Sequence, residues 1–365
     1  MVNWVLQRLI LIVFGIATVV AALELLIRLL PMDSLPGSLP MVVQDMRLHA
    51  DVFYRRDPDF RYITGPNLDL LIQHPDFQYR VNTKLNFEQA GFRGGTLGGP
   101  VWGVAMGDSF AFGMGVEHEA TWIAQLADLA RREIVNLGVP GWGPQQYTRA
   151  IERYGALLKP KIIFYAIYRN DLQDVILFDG WRRDPGYKQA LETFLRRNSV
   201  AYNLARLTLA NLSSAPDDIH LGELAANFSS QKLKTSLTED RNNFNAAWSL
   251  TKREIELAMS YSQRTGATLV LLYFPSKEEA YWELTKQKQS ELKSLDDGIE
   301  IFRTHIMEFG KTRQVLSLDL TPALREKASQ GVKLYFSHDS HWTEIGNRIV
   351  GEEIHSFLLA KGLLQ

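Results

Sequence analysis

The stretch that decides the fold is Val101-Trp-Gly-Val-Ala-Met106, followed at once by Gly107-Asp-Ser-Phe110. A short, continuously apolar run of this kind is typical of a strand that is buried on both faces of a parallel sheet. The polar residues after it lie where such a strand ends. The sequence therefore places Ser109 at the carboxyl end of a buried strand.

Similar apolar runs recur along the chain, and longer helical stretches separate them. Strands that alternate with helices predict βαβ units, and so an α/β fold with a parallel sheet that is covered by helices on both faces. The predicted strands are Val101–Met106, Ile134–Leu137, Ile162–Ile167, Thr268–Phe274 and Val315–Leu318, and the predicted helices are residues 120–132, 144–158, 242–265, 297–309 and 343–361.

Two regions depart from this alternation. Residues 31–99 are rich in proline and end in two glycine pairs, which favours a linker with short strands. Residues 172–241 contain short amphipathic pieces and polar loops, which we interpret as an insertion beside the site. We therefore expect a membrane helix at residues 1–30, an irregular region or linker at 31–99 and one domain at 100–365 with an insertion at about 172–241.

The N-terminal helix has the clearest compositional signal. Leu9–Leu23 is uncharged and apolar, and spanning a bilayer takes about 20 helical residues. The run reaches that length if it includes Glu24 and Arg28, which lie on one helix face and are expected to pair near the interface. No clear cleavage motif follows, which favours an uncleaved signal anchor over a cleaved signal peptide. A buried N-terminal helix is the remaining alternative.

Composition excludes several classes of function. The formal net charge is -1 and there is no run of lysine and arginine, so nucleic acid is not an expected partner. Cysteine is absent, which excludes disulfides, thiolate metal sites and a cysteine nucleophile. The glycines at 94–99 precede a strand, which is the wrong context for a phosphate-binding loop. No cofactor and no metal are expected.

Catalytic groups of open α/β sheets gather beyond the carboxyl ends of the strands. A serine hydroxyl found there is a poor nucleophile until a base accepts its proton. His341 can act as that base, with Asp339 orienting the imidazole. The backbone N–H groups of Ser109 and Gly141 and the side-chain amide of Asn170 can donate to an oxyanion.

Four short segments that carry these residues resemble the four blocks of the SGNH (GDSL-like) hydrolase family. The resemblance extends over roughly residues 101–365. The blocks are Gly107–Phe110, Asn136–Gly141, Asn170-Asp171 and the C-terminal Asp339/His341 pair. The resemblance implies a flavodoxin-like three-layer sandwich and ester hydrolysis or O-acyl transfer. It also implies Ser109 as the nucleophile, Ser109, Gly141 and Asn170 as the oxyanion hole, and Asp339 and His341 as the rest of a triad.

The final block departs from the usual pattern of that family, in which two residues separate Asp and His. Here only Ser340 intervenes, and Asp339-Ser-His-Trp342 resembles the Asp-x-His-Trp motif of SGNH-like polysaccharide O-acetyltransferases, among them the alginate acetylation proteins. Phe274-Pro-Ser-Lys-Glu-Glu-Ala-Tyr281 resembles a Pro-x-Lys…Tyr stretch of the same proteins. The departure favours O-acyl transfer and leaves open whether Asp339 orients His341. Asp319, at another strand end, is the alternative.

The resemblance further implies a carbohydrate or envelope polysaccharide as the acyl-ester substrate, with polysaccharide-biosynthesis proteins as partners. It implies a single-pass protein of the bacterial inner membrane with an extracytoplasmic catalytic domain. The basic residues by themselves suggest the opposite orientation, since Arg8 precedes the helix whereas Arg28, Arg47, Arg55 and Arg56 follow it. Long domains translocate largely regardless of such charges, so orientation stays open.

Several less specific interpretations compete with this one. Asp108-Ser109 has the composition of an ordinary helix cap. His338, Asp339 and His341 have the residue types of a metal site. Trp142, Trp181 and Trp342 suggest sugar contacts only by residue type, and Trp342 is expected to pack in the core. A non-catalytic carbohydrate-binding or assembly component of a polysaccharide system is the alternative function.

Overall fold

The computed structural model describes residues 2–30, 39, 42–43, 46, 53–94, 97–98, 100–183, 192, 194–196, 198–213, 217–288, 292 and 296–364. The chain divides into two compact units. The smaller unit comprises residues 1–54 and 185–214, and the larger comprises residues 55–184 and 215–365.

The described residues form the following strands and helices. The strands are β1 Tyr54–Asp57, β2 Arg61–Thr64, β3 Asp69–His74, β4 Phe77–Asn82, β5 Leu85–Phe87, β6 Ala90–Phe92, β7 Val101–Met106, β8 Glu133–Asn136, β9 Ile162–Tyr168, β10 Ile219–Leu221, β11 Ala226–Phe228, β12 Thr268–Phe274 and β13 Leu316–Asp319. The helices are α1 Val2–Leu29, α2 Ser109–Phe112, α3 Trp122–Ala130, α4 Pro144–Leu158, α5 Asp171–Arg183, α6 Val200–Ser213, α7 Ser230–Thr265, α8 Lys277–Ala280, α9 Trp282–Lys288, α10 Asp296–Arg313, α11 Thr321–Ser329 and α12 Glu344–Ala360.

The larger unit is built on a five-stranded sheet of order β13-β12-β9-β7-β8. Each neighbouring pair in it is parallel. If β7 is counted as the first strand of the sheet, the order read from the β8 edge is 2-1-3-4-5. This is the order of flavodoxin-like doubly wound sheets. The predicted α/β class and parallel sheet are confirmed, and each strand starts and ends within one residue of its predicted position.

The two faces of the sheet have separate apolar cores. All residues of β9 are buried, and they alternate between the two sides. Ile163 and Tyr165 pack with α4, α7 and α10, whereas Phe164 packs with α3 and α12 on the other side. A strand covered on both faces needs apolar residues throughout, which explains its continuous apolar run. Together the layers form the expected three-layer sandwich.

One helix begins earlier than predicted. Helix α7 starts at Ser230, not at residue 242, with the Ser229 side chain accepting the Lys232 N–H at its N-terminus. Its first turns are polar, so apolar periodicity does not predict them as helix. Of the side chains described in these turns, Leu233 and Leu237, four residues apart, belong to the core.

The region before the sheet folds into short strand pairs. The pairs are β1 with β2, β3 with β4 and β5 with β6. Those between β3 and β4 and between β5 and β6 are antiparallel.

The topology of the sheet determines where a site can form. The chain leaves β7 for β8 on one side and then reaches β9 on the other side of β7. The order of connections therefore reverses between β7 and β9, and the carboxyl edge at such a reversal is the usual ligand position in sheets of this kind.

In the smaller unit, residues Leu6–Ile27 of α1 are long and apolar enough to cross a membrane. None of this stretch is buried within the protein. The alternative of a buried N-terminal helix is therefore wrong. The side chain of Arg28, the expected partner of Glu24, lies outside the described residues.

Candidate active site

Ser109 is the first residue of α2, a four-residue helix directly after β7. The Asp108 side chain caps this helix by accepting the Phe110 N–H at 2.9 Å. Gly113, with φ of 81°, ends it in the left-handed conformation. The helix-cap interpretation is thus correct for Asp108, and the cap leaves the Ser109 hydroxyl available for another partner.

That partner is His341, in the loop before α12. Its Nε2 lies 2.7 Å from Ser109 Oγ, and its Nδ1 lies 2.6 Å from Asp339 Oδ1. Burial alone would raise the pKa of Asp339, but the hydrogen bond from His341 and the charge of its ring hold that pKa below its ordinary value. The three side chains form one continuous hydrogen-bonded chain from hydroxyl to carboxylate.

A single residue between Asp339 and His341 is sufficient for this contact. Asp339 Oδ1 also accepts the backbone N–H of His341 at 2.8 Å, which is an Asx turn. One oxygen therefore fixes both the backbone and the ring of the histidine. The alternative orienter, Asp319, is engaged elsewhere, with Arg303 at 3.0 Å and with the Thr321 N–H at 2.9 Å.

Gly141 lies in the loop that follows β8. Its φ is +76°, which disfavours any side chain, and a Cβ there would meet the Tyr62 hydroxyl. That hydroxyl donates to the Gly141 carbonyl at 2.7 Å. The same loop is tied to residues 107–113, which we call the serine turn, because the Val139 N–H donates to Gly107 O at 3.2 Å.

Asn170 follows β9 and contacts the serine turn through Asp108. Burial raises the pKa of the Asp108 carboxyl, and the hydrogen bonds from the Phe110 N–H and the Asn170 side chain and the charge of His341 oppose that rise. The structure thus brings together the loops that carry all five residues predicted for the site.

Further carboxyl groups lie behind the serine turn, at the start of α5. Asp171 accepts the Tyr147 hydroxyl at 2.8 Å and the Tyr168 N–H at 3.0 Å. Burial, and then the negative charge of Asp108, raise the pKa of Asp174 to about 8.

Asp76 is a site residue that sequence reasoning missed. It lies in the turn between β3 and β4, and its Oδ2 accepts the backbone N–H groups of His338 and Asp339, each at 2.7 Å. The carboxylate therefore holds the backbone of the loop that presents His341. Pro75-Asp76 is an ordinary turn sequence, and no local pattern indicates a partner more than 260 residues away.

The segment after β12 holds the same loop from another side. The Lys277 Nζ donates to Ser337 O at 2.7 Å, and Pro275 O accepts the Tyr335 hydroxyl at 2.7 Å. The Tyr281 hydroxyl accepts the Leu334 N–H at 2.9 Å. The segment between α11 and α12, which carries His341, is called the histidine loop. The Pro-x-Lys…Tyr stretch thus supports this loop by hydrogen bonds to its backbone and to Tyr335.

Arg93 performs a similar task for the serine turn. Its guanidinium is buried and donates to the carbonyls of Phe112, Gly113 and Val116. Burial lowers its pKa to about 10. This arginine, like Asp76, comes from the strand pairs before the sheet.

The remaining candidate residues are placed as follows. His338 is largely exposed and lies 3.9 Å from Asp217, whereas both ring nitrogens of His341 face Ser109 and Asp339.

Trp142 and Trp342 are buried, so neither offers a face to a sugar, and Trp342 packs as expected. Trp181 is half-buried against Phe178.

Comparison with known proteins identifies a family model over part of the chain. Residues 228–365 match the model described as SGNH hydrolase-like domain, acetyltransferase AlgX. The predicted resemblance to SGNH proteins and alginate-type acetyltransferases is thereby confirmed. The matched range contains Asp339, His341 and Lys277, whereas Ser109 precedes it. No match is found among curated proteins.

Solved structures that are similar to this chain include two carbohydrate esterases. One is a catalytic mutant of Axe2, an acetylxylan esterase from Geobacillus stearothermophilus, at 12% identity and a TM-score of 0.38, covering 72% of this chain and 95% of that chain. The other is a family 3 carbohydrate esterase from Clostridium thermocellum, at 13% identity and a TM-score of 0.37, covering 73% of this chain and 100% of that chain.

Removing the Asp76 carboxylate should slow the reaction of Ser109 with a fluorophosphonate. A hydrogen bond to a charged group contributes about 1.5–3 kcal/mol, so Asp76→Ala should lower the second-order rate constant roughly 10- to 100-fold. Asp76→Asn keeps one acceptor oxygen and should recover part of the rate. Asp69→Ala, on the exposed side of the same strand pair, is the control. An unchanged rate in Asp76→Ala would show that the loop holds its position without this contact.

The raised pKa of Asp174 predicts a pH dependence of stability. Its pKa in the folded chain, about 8, exceeds the ordinary 3.8. The folded state therefore binds this proton more tightly, and its free energy of unfolding falls as the pH rises between these values. Asp174→Asn should reduce the decrease in Tm between about pH 5 and pH 8.5, and Asp128→Asn, at an exposed position of α3, should not. Equal slopes in all three proteins would contradict the account.

Proposed function

We propose that the protein is a serine-dependent acyl-transfer enzyme that acts on ester-linked acetyl groups of a carbohydrate, in particular a cell-envelope polysaccharide. The single observation that supports this most strongly is the hydrogen-bonded chain from Ser109 through His341 to Asp339, at 2.7 and 2.6 Å. A merely structural serine has no need of a base that is itself oriented by a carboxylate.

In the proposed first half-reaction, His341 Nε2 accepts the Ser109 proton as Oγ attacks the acyl carbonyl. Asp339 keeps the proton-bearing Nδ1 in place and stabilises the charged ring. His341 then returns its proton to the departing alkoxide, which leaves the acyl group on Ser109. In the second half-reaction, His341 deprotonates the incoming hydroxyl of a carbohydrate acceptor or of water as its oxygen bonds the acyl carbon. The bond from that carbon to Ser109 Oγ then breaks, and His341 returns the proton to Ser109.

The oxyanion of the tetrahedral intermediate is proposed to face the N–H groups of Ser109 and Gly141 and the Asn170 amide. The N–H of Ser109 belongs to the first turn of a helix, where backbone donors have no partner within the helix. An asparagine amide carries two N–H donors, so Asn170 can contact Asp108 with one and the intermediate with the other. Loss of one such donor typically costs on the order of 100-fold in rate.

Acetyl transfer to a polysaccharide is favoured over simple hydrolysis by the C-terminal sequence. The Asp-x-His-Trp spacing and the match to an acetyltransferase model over residues 228–365 both support it. By the same reasoning, polysaccharide-biosynthesis proteins are the proposed partners.

The proposed location is the bacterial inner membrane, with α1 as an uncleaved anchor and the catalytic unit outside the cytoplasm. The apolar stretch Leu6–Ile27 supports the anchor. An alkaline phosphatase fused to the C-terminus should be active in cells, since that enzyme needs an oxidising compartment. An inactive fusion would place the catalytic unit in the cytoplasm and exclude an envelope polymer as its substrate.

The nucleophile is tested by labelling the full chain with a fluorophosphonate probe. The wild-type protein should become labelled. The control variant Ser340→Ala, in the histidine loop, should also become labelled, because it leaves Ser109 in place. Ser109→Ala should remain unlabelled. Absence of label in the wild type, together with no release of acetate from p-nitrophenyl acetate, would leave the non-catalytic binding function as the better account.

Transfer is separated from hydrolysis by adding deacetylated alginate oligosaccharide to the same acetyl donor. The proposal predicts acetyl ester on the oligosaccharide by mass spectrometry, and none with Ser109→Ala. Release of free acetate alone, at a rate that the oligosaccharide does not alter, would identify a hydrolase or a different acceptor.

A further inference from the structure

Helix α6, in the sequence interpreted as an insertion, begins against a carboxylate of the N-terminal helix. Glu24 Oε1 accepts the Ser199 hydroxyl at 2.6 Å and the Ala201 N–H at 3.2 Å. The first N–H groups of a helix favour a negative charge, so Glu24 stabilises the start of α6. An acidic residue inside the apolar stretch Leu6–Ile27 thus has a specific role.

Apolar contacts reinforce this junction. Val200, the first residue of α6, forms a small buried cluster with Val42 and Met46, against which Ile27 and Leu204 pack. The membrane-length stretch of α1 ends at Ile27, about 4.5 Å of axial rise beyond Glu24 at 1.5 Å per residue. The start of α6 is therefore attached at the end of that stretch.

The exposed side chains that the structure describes in the first three turns of α6 are uncharged. They are Ala201, Ala205, Thr208 and Leu209. Their spacing places them along one side of the helix. Leu209 is 66% exposed. A large apolar side chain is therefore exposed to solvent at the end of this face that lies farthest from Glu24.

We propose that α6 is a second membrane contact, which lies in the plane of the bilayer surface with the Ala201–Leu209 face toward the lipid. A helix that is held at the end of a membrane-spanning segment, with an uncharged outer face, fits the boundary between headgroups and acyl chains. The inference rests on α1 being inserted in a bilayer, and it does not depend on the chemistry of Ser109.

The test uses the absence of cysteine from the chain. Leu209→Cys is labelled with the fluorophore NBD, and the full-length protein is reconstituted in nanodiscs of phosphatidylethanolamine and phosphatidylglycerol that contain headgroup-proximal nitroxide lipids. Leu157→Cys on α4 is the matched control, because Leu157 is also 66% exposed. The proposal predicts emission at shorter wavelength and at least twofold stronger quenching at position 209. Equal quenching at the two positions would overturn it.

The role of Glu24 is tested in the Leu209→Cys background. Glu24→Val keeps α1 apolar but removes the acceptor, and should lower quenching to the level at position 157. Glu24→Gln retains an acceptor oxygen and should keep most of the quenching. Incorporation into nanodiscs, measured in the same samples, reports failure of α1 to insert separately from failure of α6 to bind lipid. Undiminished quenching in Glu24→Val would contradict attachment of α6 through this carboxylate.

Discussion

The site depends on one interaction, the contact of Asp339 with both the ring and the backbone of His341. An imidazole side chain has several rotamers, and the contact with Ser109 requires one that brings Nε2 to the hydroxyl. One carboxylate oxygen that binds both Nδ1 and the backbone N–H removes most of that freedom. The 2.7 Å contact between His341 and Ser109, residues 232 positions apart, follows from this restriction.

The loop that carries this turn is held in place by two other segments of the chain. Asp76, from the strand pair β3–β4, accepts two consecutive N–H groups of the loop. Lys277 donates to the carbonyl of Ser337, two residues before Asp339. The serine turn has a comparable support in Arg93. The strand pairs before the sheet therefore contribute to the geometry of the site, although none of their side chains is proposed to touch the reacting atoms.

The sequence predicted the sheet and the loops that meet at its carboxyl edge, for identifiable physical reasons. Buried parallel strands require apolar runs, so β7, β9 and β12 were evident, and the residues after them had to meet at one edge of the sheet. Contacts of Asp76 and Arg93 were not predictable, because each is a single polar residue whose partners are backbone groups far along the chain. Nearly every residue has the same backbone N–H and C=O groups, so the residue types of the partners do not indicate such contacts. The early start of α7 was hidden for a different reason, since, of the side chains described in its first turns, only Leu233 and Leu237 belong to the core.

The most direct test of the account is to trap the acyl intermediate on the full-length protein and locate it. The chain is mixed with p-nitrophenyl acetate, quenched in acid within the first turnover, digested and examined by tandem mass spectrometry. One acetyl group is expected on Ser109 in the wild type, and a much smaller amount in His341→Ala. Acetylation of a different residue, or equal acetylation of Ser109 with and without His341, would contradict it.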